Sequence, residues 1–386
     1  MALRYLDEFR DPALAQSLAR AIAAAVDPQR TYRFMEFCGG HTHAIARFGL
    51  PALLPSNLKL VHGPGCPVCV LPPGRIAQAV AIAEQPRVML CTYGDVMRVP
   101  VRKGESLLAA RARGADIRMV GSALEALKLA EANPDREVVF FAIGFETTTP
   151  PTAAAILAAE ARSVKNFSVL CCHVLTPPAM RHILASGEEA AGVLLDGFIG
   201  PAHVSVVIGE RPYTEFAHTH RKPVVIAGFE PLDLLQALLM LVRQVNQGRA
   251  EVENQYRRAV TFAGNRKAQQ MIAEVFTLRP TFEWRGLGIL PDSALAICSR
   301  YQQWDAERRF PLEPPAIPDH PACQCGAILR GQKEPRDCVL FATACTPEHP
   351  LGSCMVSSEG ACAAYYHFGR FHESVAPRKK EYHASA

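Results

Sequence analysis

From Tyr32 to about Ala227 the chain repeats one pattern: a short apolar run, a turn rich in glycine and proline, then an Ala/Leu-rich stretch with apolar residues at helical spacing. Eight such runs predict strands: Tyr32–Cys38, Leu58–His62, Val88–Tyr93, Ile117–Gly121, Val138–Ile143, Ser168–His173, Gly197–Ile199 and Val224–Ala227. Alternation of this kind predicts an α/β fold with two doubly wound, Rossmann-like parallel sheets, ahead of a single closed barrel. The break between the sheets is expected near Asn133-Pro134-Asp135, giving one unit over residues 31–133 and a second over 134–230. After Gly228 the pattern changes. Helices are expected over Pro231–Asn246, Glu251–Val260 and Lys267–Phe276 with no further strands, followed by a proline-rich connector, Phe310–Pro321. The stretch Cys323–Tyr366 is dense in Cys, Gly and Pro and has little periodicity, as where metal bonds replace a hydrophobic core. Residues 231–386, joined by a helix within residues 1–30, are the expected third unit, helical and irregular. The polar end, Pro377–Ala386, is expected to fray.

Composition narrows the function classes. With 386 residues, 49% hydrophobic and 20% charged, the chain has the make-up of a globular protein of two or three units. Its net charge of +4 is dispersed, so it offers no footprint for nucleic acid or for an anionic membrane. The most apolar stretch, Leu234–Val245, is interrupted by Gln236 and Arg243 and falls short of the roughly 20 residues a bilayer requires, so it predicts a buried helix. Acidic Asp7 and Glu8 and the lack of a cleavable apolar run argue against secretion, and a cytoplasmic location is expected. In that reducing compartment thirteen cysteines point to metal ligands or reactive thiols rather than a disulfide framework. Six of them lie between Cys323 and Cys362 and three between Cys38 and Cys69, which suggests two chemical centres.

In open α/β sheets ligands sit beyond the carboxyl ends of strands, and the unusual residues of this chain fall in those loops. The first loop, Glu36-Phe37-Cys38-Gly39-Gly40-His41-Thr42-His43, places Cys38 at a helix N-terminus, where the positive helix end is expected to lower the thiol pKa and favour a metal-binding thiolate. A buried structural cysteine with two capping histidines is the alternative. The second, His62-Gly63-Pro64-Gly65-Cys66-Pro67-Val68-Cys69, carries a Cys-x-x-Cys pair able to share a metal or close a disulfide. A zinc knuckle would need a second pair, and a thioredoxin-type site would run straight into a helix, whereas Leu71-Pro72-Pro73-Gly74 intervenes. The third, Gly144-Phe145-Glu146-Thr147-Thr148-Thr149-Pro150-Pro151, sets Glu146 before a helix as a proton donor or acceptor, or as a solvated side chain beside a capped helix. His173 and His203, in further loops, have packing as their more frequent role. Cys91, Cys171 and Cys298 sit in apolar runs and are expected in the core.

The C-terminal cysteines are Cys323, Cys325, Cys338, Cys345, Cys354 and Cys362. Six sulfurs within forty residues imply metal, and an all-sulfur set suits zinc or iron–sulfur. Their wide spacing fits neither a zinc ribbon nor a ferredoxin run, which favours a 4Fe–4S cluster held by four of the six. No Walker-type phosphate loop is present.

Taken together, the stretches Cys38–His43, Gly63–Cys69, Gly144–Thr148, Pro201-Ala202-His203-Val204-Ser205 and Cys354-Met355-Val356-Ser357-Ser358-Glu359-Gly360 resemble the HypD family of hydrogenase maturation factors over almost the whole chain. The resemblance implies two α/β domains plus a C-terminal domain with a 4Fe–4S cluster, flanking a cleft. It implies a scaffold and electron-transfer component for assembling a mononuclear iron carrying cyanide and carbon monoxide. A small HypC-type chaperone would share that iron and a HypE-type partner would donate cyanide, with this chain a monomer inside the heteromeric complex. By motif, Cys38 becomes the iron ligand, Cys66 and Cys69 a dithiol that binds iron or exchanges electrons, and His41 and Glu146 the lining of the site. For the cluster Cys325, Cys338, Cys345 and Cys362 are favoured, with Cys323 and Cys354 as substitutes. Two rivals use the same residues: a cluster-dependent thiol–disulfide reductase cycling Cys66 and Cys69, and a zinc-binding structural interaction module.

Overall fold

Each of the eight apolar runs is a strand: β1 (Tyr32–Glu36), β2 (Leu58–His62), β3 (Val88–Thr92), β4 (Asp116–Met119), β5 (Glu137–Gly144), β6 (Phe167–His173), β7 (Gly197–Gly200) and β8 (Val224–Ile226). The structure, a computed structural model, describes residues 7–102, 104–185 and 194–369; Pro377–Ala386, expected to fray, lies outside them. β3 and β6 are buried along their whole length, as parallel strands covered by helices on both faces must be.

The strands form two sheets, and every pairing within them is parallel. One has the order β2-β1-β7-β8-β9, where β9 is Val252–Asn254, and the other β4-β3-β5-β6. The expected break at Asn133-Pro134-Asp135 is corrected by this pairing, because β3 lies between β4 and β5 and so unites strands from both sides of that turn. The chain begins the first sheet with β1 and β2, builds the second sheet whole, and returns to the first at β7. The Asn-Pro-Asp signal marks only the stop between helix Ala123–Ala132 and β5. Turn chemistry ends an element but does not say which strand the next one joins.

The segment after Gly228 also differs from expectation. Helix Pro231–Asn246 forms as predicted, with the Glu230 N–H donating to Asp233 Oδ2 at 3.2 Å. Its Leu234, Leu235, Leu238 and Val242 pack with Phe34, Ile199, Val225 and, from helix Pro12–Ala25, Ile22, so both helices cover the first sheet rather than a C-terminal unit. Glu251–Val260 is not helical. Val252–Asn254 instead completes the first sheet as its edge strand, where the Val224 N–H donates to Glu251 O at 3.1 Å; the open edge of β8 outweighs a weak local helical preference. The third helix runs Arg266–Val275 and packs on helix Thr149–Ala161 of the second sheet. Strands do continue, as two antiparallel pairs: β10 (Phe276–Leu278) with β13 (Leu295–Ile297), and β11 (Thr281–Trp284) with β12 (Gly288–Pro291). Residues 231–369 are therefore shared among both sheets and the cysteine-rich segment.

The strand order reverses between β1 and β7 in one sheet and between β3 and β5 in the other. At such switch points the loops beyond the carboxyl ends diverge and leave a crevice. The Cys38 and His203 loops follow β1 and β7, and the Glu146 loop follows β5. A continuous apolar core joins Met35 and Phe37, Phe141 and Ile143, Trp284, and Cys325, Cys354 and Met355. The cysteine-rich segment thus shares the core of the sheets rather than standing apart from it.

Candidate functional site

Cys38 ends the β1 turn as the N-cap of helix Gly39–Arg47, in extended conformation at φ −149°. Its N–H donates to Glu36 Oε2 at 2.9 Å. The same fully buried carboxylate accepts the Thr42 hydroxyl and meets His62 Nδ1 at 2.9 Å, and His62 Nε2 lies 3.2 Å from the Tyr365 hydroxyl. Burial, with the charges of Glu359 and Glu36, pushes the Cys38 thiol up to about 12, while the N–H groups of Gly40 and His41 pull it down. The thiolate expected from the helix terminus is therefore corrected: desolvation and two carboxylates outweigh the helix end, and the free side chain is a thiol. One turn on, His41 is buried, with Nε2 3.1 Å from Ala227 O, its ring 5.3 Å from that of Phe229, and Nδ1 without a hydrogen-bond partner. Burial lowers its pKa and keeps it neutral.

The second cysteine turn lies directly against the first. Gly63 N–H donates to Glu36 O at 2.9 Å, and Gly39 N–H to Gly65 O at 3.0 Å. A Cβ on Gly65 would stand 2.3 Å from the Cys38 nitrogen, so only glycine permits this approach. Cys66 caps the one-turn helix Pro67–Val70, Cys69 lies within that turn, and the two are joined as a disulfide. Of the three residues predicted to bind the lone iron, only Cys38 thus carries a free thiol in this state. Among the described residues no three His, Cys, Asp or Glu side chains form a ready-made single-ion site.

Glu146 is set apart from these turns. It lines a cavity of about 360 Å³ with Thr149, Leu175, Pro177 and Ile208, and accepts the Thr176 N–H at 2.8 Å and hydroxyl at 3.0 Å. Burial raises its pKa to about 7 against those hydrogen bonds. His173 is a core residue with Nε2 2.9 Å from Thr152 Oγ1, and burial lowers it to about 4. His203 packs against the same Phe229 ring as His41, ring centroids 4.2 Å apart and tilted by 45°.

The C-terminal sulfurs converge. Cys323, Cys325, Cys338, Cys345 and Cys362 line one small cavity with Leu340, Phe341 and Met355. Cys325 is hydrogen-bonded to Cys323, Cys354 and Cys362, and Cys354 sits fully buried behind it. Hydrogen bonding to Cys325 brings the Cys323 thiol down to about 7. All four favoured ligands are on the cavity wall, Cys323 joins them, and Cys354 stands one step back. Five convergent soft donors with no carboxylate among them fit an iron–sulfur cluster and do not fit a hard cation.

The segment between Cys345 and Cys362 clamps the two early turns. Ser353 Oγ donates to Cys69 O at 2.9 Å, Ser357 Oγ to Asp95 Oδ2 at 2.9 Å, and His43 Nδ1 lies 3.2 Å from Ser358 O. Arg98 donates to Pro347 O at 3.0 Å and to Val356 O at 3.3 Å. A Cβ on Gly39 would meet Glu359 Cβ at 2.5 Å. Ser353 is bonded in sequence to Cys354, so the two sulfur centres are one residue and one hydrogen bond apart along this path.

A family model described as "Hydrogenase formation hypA family", HypD, matches residues 13–369. The chain belongs to the HypD family. It is 62% identical over 375 residues to a hydrogenase maturation factor HypD of Rhizobium leguminosarum bv. viciae, with 97% of each chain covered. A HypD of Cupriavidus necator is 63% identical over 371 residues, covering 96% of this chain and 98% of that one. The HypD of Escherichia coli K12 is 49% identical over 371 residues, covering 95% and 98%. Within this HypD-family site, sequence reasoning did not single out Glu36, His62, Ser353, Glu359 or Tyr365. Glu36 and His62 carried a readable signal, a charged and a titratable residue at the inner ends of otherwise apolar strands. The others are brought in by tertiary packing alone.

Proposed function

We propose that the chain is a cytoplasmic hydrogenase maturation factor, on which a mononuclear iron acquires cyanide and carbon monoxide while a cluster held by the C-terminal sulfurs would supply electrons. The observation that carries this reading is the joining of the two sulfur centres through Ser353, within a family whose relatives are named for hydrogenase maturation. Cys38 is the iron ligand; Glu36 accepts its N–H and holds the turn, and His62 and Tyr365 fix Glu36 in place. Because burial holds the Cys38 thiol protonated, binding iron releases a proton. Reduction of the Cys66–Cys69 disulfide takes two electrons and two protons and yields two thiols beside Cys38, completing a three-sulfur ligand set. A 4Fe–4S cluster, held by Cys325, Cys338, Cys345 and Cys362 with Cys323 as substitute, supplies single electrons when bound. A HypC-type chaperone sharing the iron and a HypE-type cyanide donor complete the assembly.

Infrared spectroscopy of the anaerobically purified complex with its chaperone, in the cyanide and carbonyl stretching region, tests this. The wild type is expected to show both sets of bands and Cys38→Ala to lose them while keeping its far-UV circular dichroism. Full bands in Cys38→Ala overturn the assignment. The closed Cys66–Cys69 pair favours one other reading, a cluster-dependent thiol–disulfide reductase. Iron in excess of the cluster in the purified complex counts against it.

A further inference from the structure

The hairpin of β11 and β12 turns at Arg285-Gly286-Leu287, and its tip is wedged between the two sulfur centres. Arg285 N–H donates to Val70 O at 2.8 Å, one residue beyond Cys69. Gly286, at φ +79°, lies so close to the cysteine helix Cys325–Leu329 that a Cβ would stand 2.6 Å from Gly326 Cα, and Arg330 donates to Gly286 O. At the base of the hairpin Trp284 packs on Phe145 of the Glu146 loop, ring centroids 5.9 Å apart.

The Arg285 side chain is 4% exposed, and its Nε donates to Asp319 Oδ1 at 2.6 Å, four residues before Cys323. Asp319 is 34% exposed, so the ion pair is polarised, with its carboxylate toward solvent and its guanidinium inward. The Arg285 Nη1 is buried and has no hydrogen-bond partner among the described residues. A guanidinium N–H left unpaired in the interior costs about 1–3 kcal/mol or more, and carboxylates, carbonyls or thiolates are what it accepts as partners. The cavity beside it, lined by Pro100, Ile317, Pro318 and Leu351, does not supply that partner, because Nη1 is closed off from solvent. The direction left is inward, where the hairpin tip packs on the helix that begins at Cys325.

We propose that Arg285 is a positioning residue for the C-terminal sulfur centre, whose inward guanidinium offsets the negative charge of its cysteine thiolates. This rests on reading those cysteines as a cluster-binding set. Four thiolates around an iron–sulfur core carry net negative charge that grows on reduction, so a buried cation beside them stabilises the reduced form and raises its potential.

The test is a redox titration of the anaerobic full-length protein, followed by electron paramagnetic resonance, with iron and sulfide content measured alongside. Arg285→Gln is expected to keep its cluster and to favour the oxidised form at least tenfold more than the wild type, a downward shift of about 59 mV for one electron. Arg285→Lys, which keeps the charge, is expected to stay near the wild-type potential. If Arg285→Gln loads no cluster while Arg285→Lys does, the charge requirement is again upheld. Wild-type potential in Arg285→Gln overturns the inference and leaves the cluster reading standing. Loss of the cluster in both variants also overturns it, since that is a requirement for shape. A wild-type protein with no iron and sulfide brings down the cluster reading and the inference with it.

Discussion

Glu36 and Cys38, two residues apart, divide the work at the end of β1. The carboxylate is surrounded by donors from Cys38, Thr42 and His62, whereas the thiol gains carboxylate neighbours and loses water. Glu146 shows the same competition in measurable form. The folded chain holds its proton up to about pH 7, well above the ordinary value of 4.5, so the native state binds more protons than the unfolded chain between those limits. Stability from this residue is therefore full below about pH 4.5 and falls as pH rises toward 7, at about 1.4 kcal/mol per pH unit, a loss of about 3 kcal/mol in all. Glu146→Gln is expected to remove that slope. Urea unfolding at pH 5 and pH 8 checks it: the variant should gain on the wild type by about 2–3 kcal/mol between the two pH values, and an unchanged gap refutes the cause assigned here.

At the scale of elements, the two cysteine turns work only because glycine lets one backbone lie on the other. Gly65→Ala would press a Cβ onto the Cys38 backbone, which cannot rotate away as a side chain could. A loss of about 1–3 kcal/mol is expected from such overpacking, together with lost iron loading. Gly94→Ala is the matched control, since its nearest neighbour, Met119 Sδ, is 3.5 Å from the new Cβ; it should unfold within about 0.5 kcal/mol of the wild type. Equal effects in the two variants would show that the close approach does not matter. Ser353→Ala removes the hydroxyl that satisfies Cys69 O and should cost about 1–3 kcal/mol. The same change should speed hydrogen exchange in residues 66–70, and unaltered exchange there would deny the bond its role.

For the whole molecule, the C-terminal segment is the strap across both switch points. It holds the first sheet through His43, His62 and Gly39 and the second through Asp95 and Arg98. Ending the chain after Thr346 is expected to leave both sheets folded, seen as retained circular dichroism, and to speed hydrogen exchange in residues 36–43 and 62–69 by at least tenfold. Protection unchanged in those turns would place their order in the sheets alone.

The strands, the helix Pro231–Asn246 and the cysteine loops were legible because each is a local pattern. A buried parallel strand is a continuous apolar run, and a ligand loop announces itself by glycine, proline and cysteine after that run. The edge strand β9 and the later hairpins were missed because their short polar segments acquire strand character only from the partner they pair with. The same limit misplaced the division between sheets at Asn133, since a turn records where an element stops and not which neighbour the next one finds. Sequence alone settled the α/β class, the eight strands and the two groups of sulfur. Tertiary structure alone decided that the sheets interleave, that Cys38 is a buried thiol, that Glu146 faces another cavity and that Arg285 stands between the sulfur centres. These depend on desolvation and on contacts between residues hundreds of positions apart, which no window along the chain contains.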